Sequence, residues 1–311
     1  MTNSFLFGPV PSRRLGVSLG IDLVPHKTCS LNCVYCECGK TTELTLERKE
    51  YVPTQAIIDE LREYLSRTPP LDYITFAGSG EPCLHNGLGT IVTFLKKEFP
   101  SYKTALLTNG TLLYLKEVRD AIMPIDLVLP SLDAVLPQTF RKVNRPHPSL
   151  DLKRTIEGLV TFAKEYKGEI LLEIFIIPDI NDTPEELSAF KEIIKKITPA
   201  RTQLNTLDRP GACSRVVPAS RKRLEEIAEY FAPLKTEIIA RQATRRAAKP
   251  SEQDLSSIIL ALLKRRPCTI EDLAAGTGAN TPFITKTIAE MEAGGLITQR
   301  KTGDHLFNKV K

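Results

Sequence analysis

Between residues 15 and 231, apolar runs of strand length alternate with stretches of helical periodicity, and no other property of the chain restricts its fold as much. Strands are expected over residues 15–23, 73–77, 103–108, 126–132, 170–177 and 203–206, with a further one over 237–240. Between them, five sets recur at three- to four-residue spacing, which collects each on one helix face: Ile57 and Leu61; Leu88, Ile91 and Leu95; Leu112, Leu115 and Val118; Leu152, Ile156 and Leu159; Leu224, Ile227 and Phe231. Thr183-Pro184-Glu185-Glu186 marks the start of a sixth helix, a capping box with proline at the first helical position. Strands separated by helices run parallel and are joined by right-handed crossovers. The expected class is therefore α/β, a partial (βα)6 TIM-like barrel.

The unusual polar groups follow these strands directly. Gly78 to Pro82, Asn109-Gly110, Ser131 with Asp133, Asn181-Asp182 and Arg209-Pro210-Gly211 all fall there. In a parallel α/β fold such positions share one rim, where binding and catalytic groups collect. Any one of them alone is ordinary turn chemistry.

Cysteines crowd the loop after the first strand. Cys29, Cys33 and Cys36 stand at Cx3CxxC spacing, with Cys38 two residues further on. Seven cysteines in all, an odd number, argue against a disulfide framework. Structural zinc takes four ligands and usually draws a second pair from elsewhere, but Cys83, Cys213 and Cys268 are solitary. An iron–sulfur cluster is bound by closely spaced thiolates of one loop, and it is the favoured reading over zinc.

From Arg241 the chain turns basic, and residues 241–252 read as a linker between a domain over 1–240 and a smaller one over 253–311. Three helical stretches there precede two short strands, the order of a winged helix. Asn280, Thr281, Thr285 and Lys286 would be the residues presented to base edges. The net charge of +5 permits a nucleic-acid partner without requiring one. No apolar run approaches the roughly 20 residues of a membrane span, and the N-terminus lacks a signal-like pattern, so no membrane and a cytoplasmic location are expected.

Cys29, Cys33 and Cys36, with aromatic Tyr35 before the third, and Gly78-Ser79-Gly80-Glu81-Pro82 after the second strand closely resemble the radical S-adenosylmethionine (SAM) superfamily, over residues 1 to about 240. Residues 8–16, GPVPSRRLG, are similar to a branch of iron–sulfur oxidoreductases loosely related to the wybutosine-synthesis enzymes. The resemblance implies a [4Fe–4S] cluster on the three cysteines, with the fourth iron free for SAM. It implies reductive cleavage of SAM to a 5′-deoxyadenosyl radical, fed by a one-electron donor such as a flavodoxin or ferredoxin. Gly78, Gly80 and Glu81 match the segment that holds the methionine amino group. Asn109, Ser131, Asp133 and Asn181 complete the expected cofactor-binding set, with Arg145 or Arg209 as partner of the SAM carboxylate. Cys38 is expected beside the cluster without ligating it, Cys83 as a small buried residue, and His26, His85 and His147 as turn histidines near the rim. RNA or a polypeptide is the expected substrate class. The alternative is a non-catalytic regulator that senses metal or cluster and binds DNA through the winged helix.

Overall fold

The computed structural model describes residues 4–12, 14–239, 255–302 and 305–311. The N-terminal part comprises β1 (Leu6–Ser12), β2 (Gly16–Ile21), β3 (Thr28–Cys29), β4 (Glu43–Leu44), α1 (Thr54–Leu65), β5 (Tyr73–Phe76), α2 (Leu88–Glu98), β6 (Lys103–Thr108) and α3 (Lys116–Ile122). It continues through β7 (Leu127–Pro130), α4 (Pro137–Val143), α5 (Leu152–Glu165), β8 (Glu169–Phe175), α6 (Pro184–Ile197), β9 (Arg201–Asn205), α7 (Arg221–Phe231) and β10 (Thr236–Ile238). One sheet runs in the order β1-β2-β5-β6-β7-β8-β9-β10. Every pair from β2 onward is parallel. This is the expected partial barrel, with β10 as the further strand.

Alternation along each strand sorts the two faces. On β6, Leu106 joins the main core beneath the helices, while Ala105 and Leu107 join Leu15, Leu127 and Leu171 on the inner face. The main core takes Ile57 and Leu61 of α1, Ile91 and Leu95 of α2, Phe162 of α5, Phe190 of α6 and Phe231 of α7, each buried. Burial of such a side chain is worth roughly 1.5–3 kcal/mol, so these faces hold the helices to the sheet.

Three features depart from the expectation. β1 is a strand, antiparallel to β2 at the sheet edge, although it contains Pro9 and Pro11. An edge strand tolerates prolines, and the register shifts between Phe7 and Val10. α4 is an additional short helix after β7. The capping box on α6 is only half closed. Thr183 Oγ1 accepts Glu186 N at 3.3 Å, but the fully buried Glu186 carboxylate turns to the backbone N–H groups of Val135 and Leu136. It ties α6 to the loop after β7.

The C-terminal part forms α8 (Leu255–Arg265), α9 (Ile270–Thr277), α10 (Thr281–Ala293) and an antiparallel pair, β11 (Ile297–Thr302) with β12 (His305–Val310). Its core of Leu255, Ile259, Leu273, Ile284, Ile288 and Met291 is separate from that of the barrel, and Val10 of β1 packs against it. The linker expected over 241–252, Ala240, Arg13 and the turn at Gly303-Asp304 lie outside the described residues.

Candidate metal centre and active site

The cysteine loop follows β2 and is held from three sides. Its start, β3, pairs with β4. Further along, Val34 N donates to Val143 O at 2.9 Å, and Cys213 N donates to Val34 O at 2.9 Å. Tyr35 stacks on Phe175 of β8 with ring centroids 3.9 Å apart, and its hydroxyl donates to Asp133. The aromatic residue between Cys33 and Cys36 thus anchors the loop to the ends of β7 and β8.

Each of the three motif cysteines receives one side-chain N–H donor from a different segment. Asn109 Nδ2 lies 3.5 Å from Cys29 Sγ, Asn144 Nδ2 lies 3.4 Å from Cys33 Sγ, and Lys27 Nζ lies 3.0 Å from Cys36 Sγ. Lys27 is 3% exposed and sits at φ 61°, a left-handed conformation uncommon for a residue with a side chain. Burial is the largest single influence and works against its charge, but Cys36, Cys29 and Cys38 together raise its pKa. The Cys36 thiol is lowered to about 5, first by a hydrogen bond from Cys38 and then by Lys27. Burial instead raises Cys29 to about 11 and pushes Cys33 well up. Cys38 Sγ points at Gly78 O, 4.0 Å away. Among the described residues, no three Cys, His, Asp or Glu side chains are placed to hold a single metal ion. A lone zinc would need its thiolates within about 4 Å of one another.

The loop after β5 lies directly on the cysteine strand. A Cβ on Gly80 would fall 2.1 Å from Thr28 O, and one on Gly78, at φ +141°, would fall 1.7 Å from Asp22 Oδ1. Both glycines are required by this packing of chain on chain. Glu81, 2% exposed, accepts Thr108 Oγ1 at 2.6 Å, Asn109 N at 2.8 Å and Cys83 N at 3.1 Å. Burial raises its pKa against these bonds. Three of its roughly four acceptor positions serve the protein.

Residues 23–190 match the family model of the radical SAM superfamily. The chain belongs to this superfamily. A similar relative is the UPF0026 protein MJ1312 of Methanocaldococcus jannaschii, 36% identical over 97% of this chain and 95% of its own. A protein of Brachyspira hyodysenteriae named GTPase Obg is 35% identical over 94% of this chain, which spans only 43% of it. Gly39-Lys40-Thr41 does not make a phosphate loop here, because Val34 stands where the first glycine belongs. Among solved structures, TYW1 with a lysine-pyruvate adduct bound aligns with 72% of this chain and 75% of its own at TM-score 0.51 and 16% identity. A radical SAM methyltransferase from Sphaerobacter thermophilus aligns with 71% of this chain and 66% of its own at TM-score 0.55 and 14% identity. These two likenesses show the fold.

Within the radical SAM fold, several expected cofactor residues face the protein itself. Asp133 accepts Phe175 N at 3.0 Å and Asn144 Nδ2 at 2.9 Å besides the Tyr35 hydroxyl, and burial raises its pKa to about 6. Asn181 is fully buried: its amide donates to Asp133 O and Phe175 O and accepts Ile177 N. Both are braces, because a loop buried at the barrel rim must satisfy its own backbone. Asn109 is spent on Cys29, on Ser30 Oγ and on its own turn at Thr111. Arg209, 6% exposed, pairs with Glu37 and Asp272, so it is not a free partner for a carboxylate. Among the described residues, the half-buried Ser131 makes no side-chain hydrogen bond, and the exposed Arg145 makes no ion pair but acts electrostatically on Cys213. His85 is consumed by Val52 O and Gly87 N, and Cys83 is buried against Thr108. The residues missed from the sequence are Lys27, one position before Thr28-Cys29, and Asn144.

The four residues expected at the nucleic-acid face, Asn280, Thr281, Thr285 and Lys286, are all exposed at the start of α10. Asn280 caps α10 by accepting Phe283 N at 3.0 Å, Thr285 Oγ1 donates back to Thr281 O, and Lys286 lies 3.9 Å from Glu290. Among the described residues, no helix is long and apolar enough to cross a membrane.

Proposed function

We propose that this radical SAM protein reductively cleaves SAM at a [4Fe–4S] cluster held by Cys29, Cys33 and Cys36. What supports the reading is the donor set: the three sulfurs each take one side-chain N–H, from Asn109, Asn144 and Lys27. A neutral thiol has little need of such a donor. A metal-bound thiolate is negative and accepts strongly. The donors fit the cluster as a set of three, while Cys38 has a carbonyl beside its sulfur, which suits a protonated thiol. Three protein ligands would hold the cluster and leave SAM a place on it.

When bound, the cluster and SAM together supply reductive breakage of a carbon–sulfur bond, giving methionine and a 5′-deoxyadenosyl radical for hydrogen abstraction. The chain's own residues position and shield. Glu81 locks the loop after β5 to Thr108 and Asn109, and so to the residue that faces Cys29. Ser131 and Arg145 are the side chains left to meet SAM hydroxyl or carboxylate groups. A one-electron donor such as a flavodoxin or ferredoxin supplies the reductant, and RNA or a polypeptide is the proposed substrate class. The test is anaerobic reconstitution followed by dithionite and SAM. Release of 5′-deoxyadenosine is expected, and its absence from a fully loaded protein would sink the reading in favour of a cluster-holding regulator.

A further inference from the structure

The C-terminal helices reach both loops of the site, each through one arginine. Arg265, at the end of α8, donates from Nε to Asp22 Oδ2 at 3.0 Å. Asp22 stands just past β2, and its other oxygen accepts Ser79 N at 2.9 Å, inside the loop that carries Gly78, Gly80 and Glu81. The Arg265 guanidinium also lies over the Phe7 ring at 4.2 Å. On the second path, Asp272 of α9 accepts Arg209 Nη2 at 3.0 Å, and Nη1 of that arginine reaches Glu37 Oε2 at 3.4 Å, between Cys36 and Cys38. Asp272 is held independently, because its other oxygen accepts Thr269 N at 3.1 Å and closes the cap of α9.

Between the two bridges lies a cavity of about 660 Å³. Ser18, Thr75 and Cys38 line it from the barrel, and Leu262, Arg266 and Asp272 line it from the C-terminal part. The C-terminal helices have an apolar core of their own, so neither arginine bridge is needed to assemble them. The bridges act across the interface.

We infer that the C-terminal part is a positioning element for the two loops, with a separate line to each. Arg265, acting through Asp22, sets the loop of Glu81 and hence the seat of SAM. Asp272, acting through Arg209 and Glu37, sets the cysteine loop and hence the hold on iron. None of the five makes a hydrogen bond to a motif cysteine sulfur or to Glu81. The inference rests on the proposed function. Its physical ground is that ordering a loop subtracts from affinity, and an ion pair to an independently packed unit removes part of that cost beforehand.

The two loops also meet directly, Lys27 N donating to Ser79 O at 3.0 Å and Glu81 N to Thr28 O at 3.1 Å, so single substitutions in the full-length reconstituted protein distinguish the lines by which readout moves more. Arg265→Gln is expected to weaken SAM binding, measured by equilibrium dialysis, about tenfold, as loss of one charge-assisted hydrogen bond would. Its rate of iron loss to a chelator should change by a smaller factor than its SAM affinity. Asp272→Asn is expected to do the reverse, with iron lost about tenfold faster and SAM affinity on the loaded fraction changed by a smaller factor. Arg265→Lys, which keeps a donor for Asp22, should restore SAM affinity. Unchanged values, both readouts moving by the same factor in each variant, or failure of the lysine to rescue would overturn the inference. Should the unaltered protein hold no cluster and bind no SAM, the proposed function fails and takes the inference with it.

Discussion

The Asn144 amide nitrogen stands 3.4 Å from Cys33 Sγ and, at the same time, 2.9 Å from Asp133 Oδ2. One donor therefore ties a cysteine to the end of β7. Asp133 in turn takes the Tyr35 hydroxyl, so the loop is held at two of its residues by a single buried carboxylate. The cysteines are placed by the sheet, and the loop has little freedom to choose their spacing.

Among the described residues, Lys27 is the one cationic side chain hydrogen-bonded to a motif sulfur. Lys27→Met should lower the reduction potential of the loaded cluster by about 60–130 mV, the equivalent of one charge-assisted hydrogen bond worth ~1.5–3 kcal/mol in a one-electron couple. The sign follows because the reduced form is the more negative and loses a nearby cation. A redox titration followed by electron paramagnetic resonance measures it, and an unchanged potential would count against Lys27 facing a ligand.

Cys38 offers a thiol to Cys36 and Gly78 O and stands outside the set of three sulfurs that receive an N–H. Cys38→Ala should keep four irons per chain after reconstitution, whereas alanine at Cys29, Cys33 or Cys36 should remove the cluster absorbance. Loss of iron from the Cys38 variant equal to that of the other three would make it a ligand.

Tyr35 joins the loop to β8 by stacking and to Asp133 by its hydroxyl. Tyr35→Phe keeps the ring but leaves the buried carboxylate short of a donor, at a cost of about 1–3 kcal/mol. Tyr35→Leu removes the aromatic pair as well and should cost a further ~0.5–1.5 kcal/mol. Urea unfolding of the metal-free protein should rank the unaltered chain above Tyr35→Phe and Tyr35→Phe above Tyr35→Leu; equal midpoints for the unaltered chain and Tyr35→Phe would show that the hydroxyl contributes nothing.

Asp133 carries a pH signature. Burial raises its pKa to about 6 in the folded chain from 3.8. Below the lower value both states are protonated and the contribution is whole. As pH rises toward 6 and beyond, the unfolded chain ionises first, and roughly 3 kcal/mol of stability is withdrawn. Asp133→Asn removes this slope, so the difference in unfolding free energy between the two metal-free proteins should change mainly between about pH 4 and 6. Parallel pH profiles would refute the buried acid.

The parallel strands, their helices and the cysteine motif were legible because each is a local pattern of period two, period 3.6 or fixed spacing. β1 was not, since Pro9 and Pro11 argue against a strand until its edge position is known. Asn181 and Asp133 sit on the rim as expected yet serve backbone groups of neighbouring strands, a need that no single segment displays. Lys27 and Asn144 gain their meaning only when Asn144 meets a cysteine 111 residues away and a buried lysine folds over Cys36. Likewise, Arg209 finds Asp272 across 63 residues.

The edge strand β1 has one more consequence. A barrel left open presents unpaired N–H and C=O groups that can recruit strands from other molecules. Here the register shift after Phe7 and the two prolines spoil β1 as a template, and Val10 is packed beneath the core of α8, α9 and α10. The same helices that reach the site thus shield the open side of the sheet from self-association.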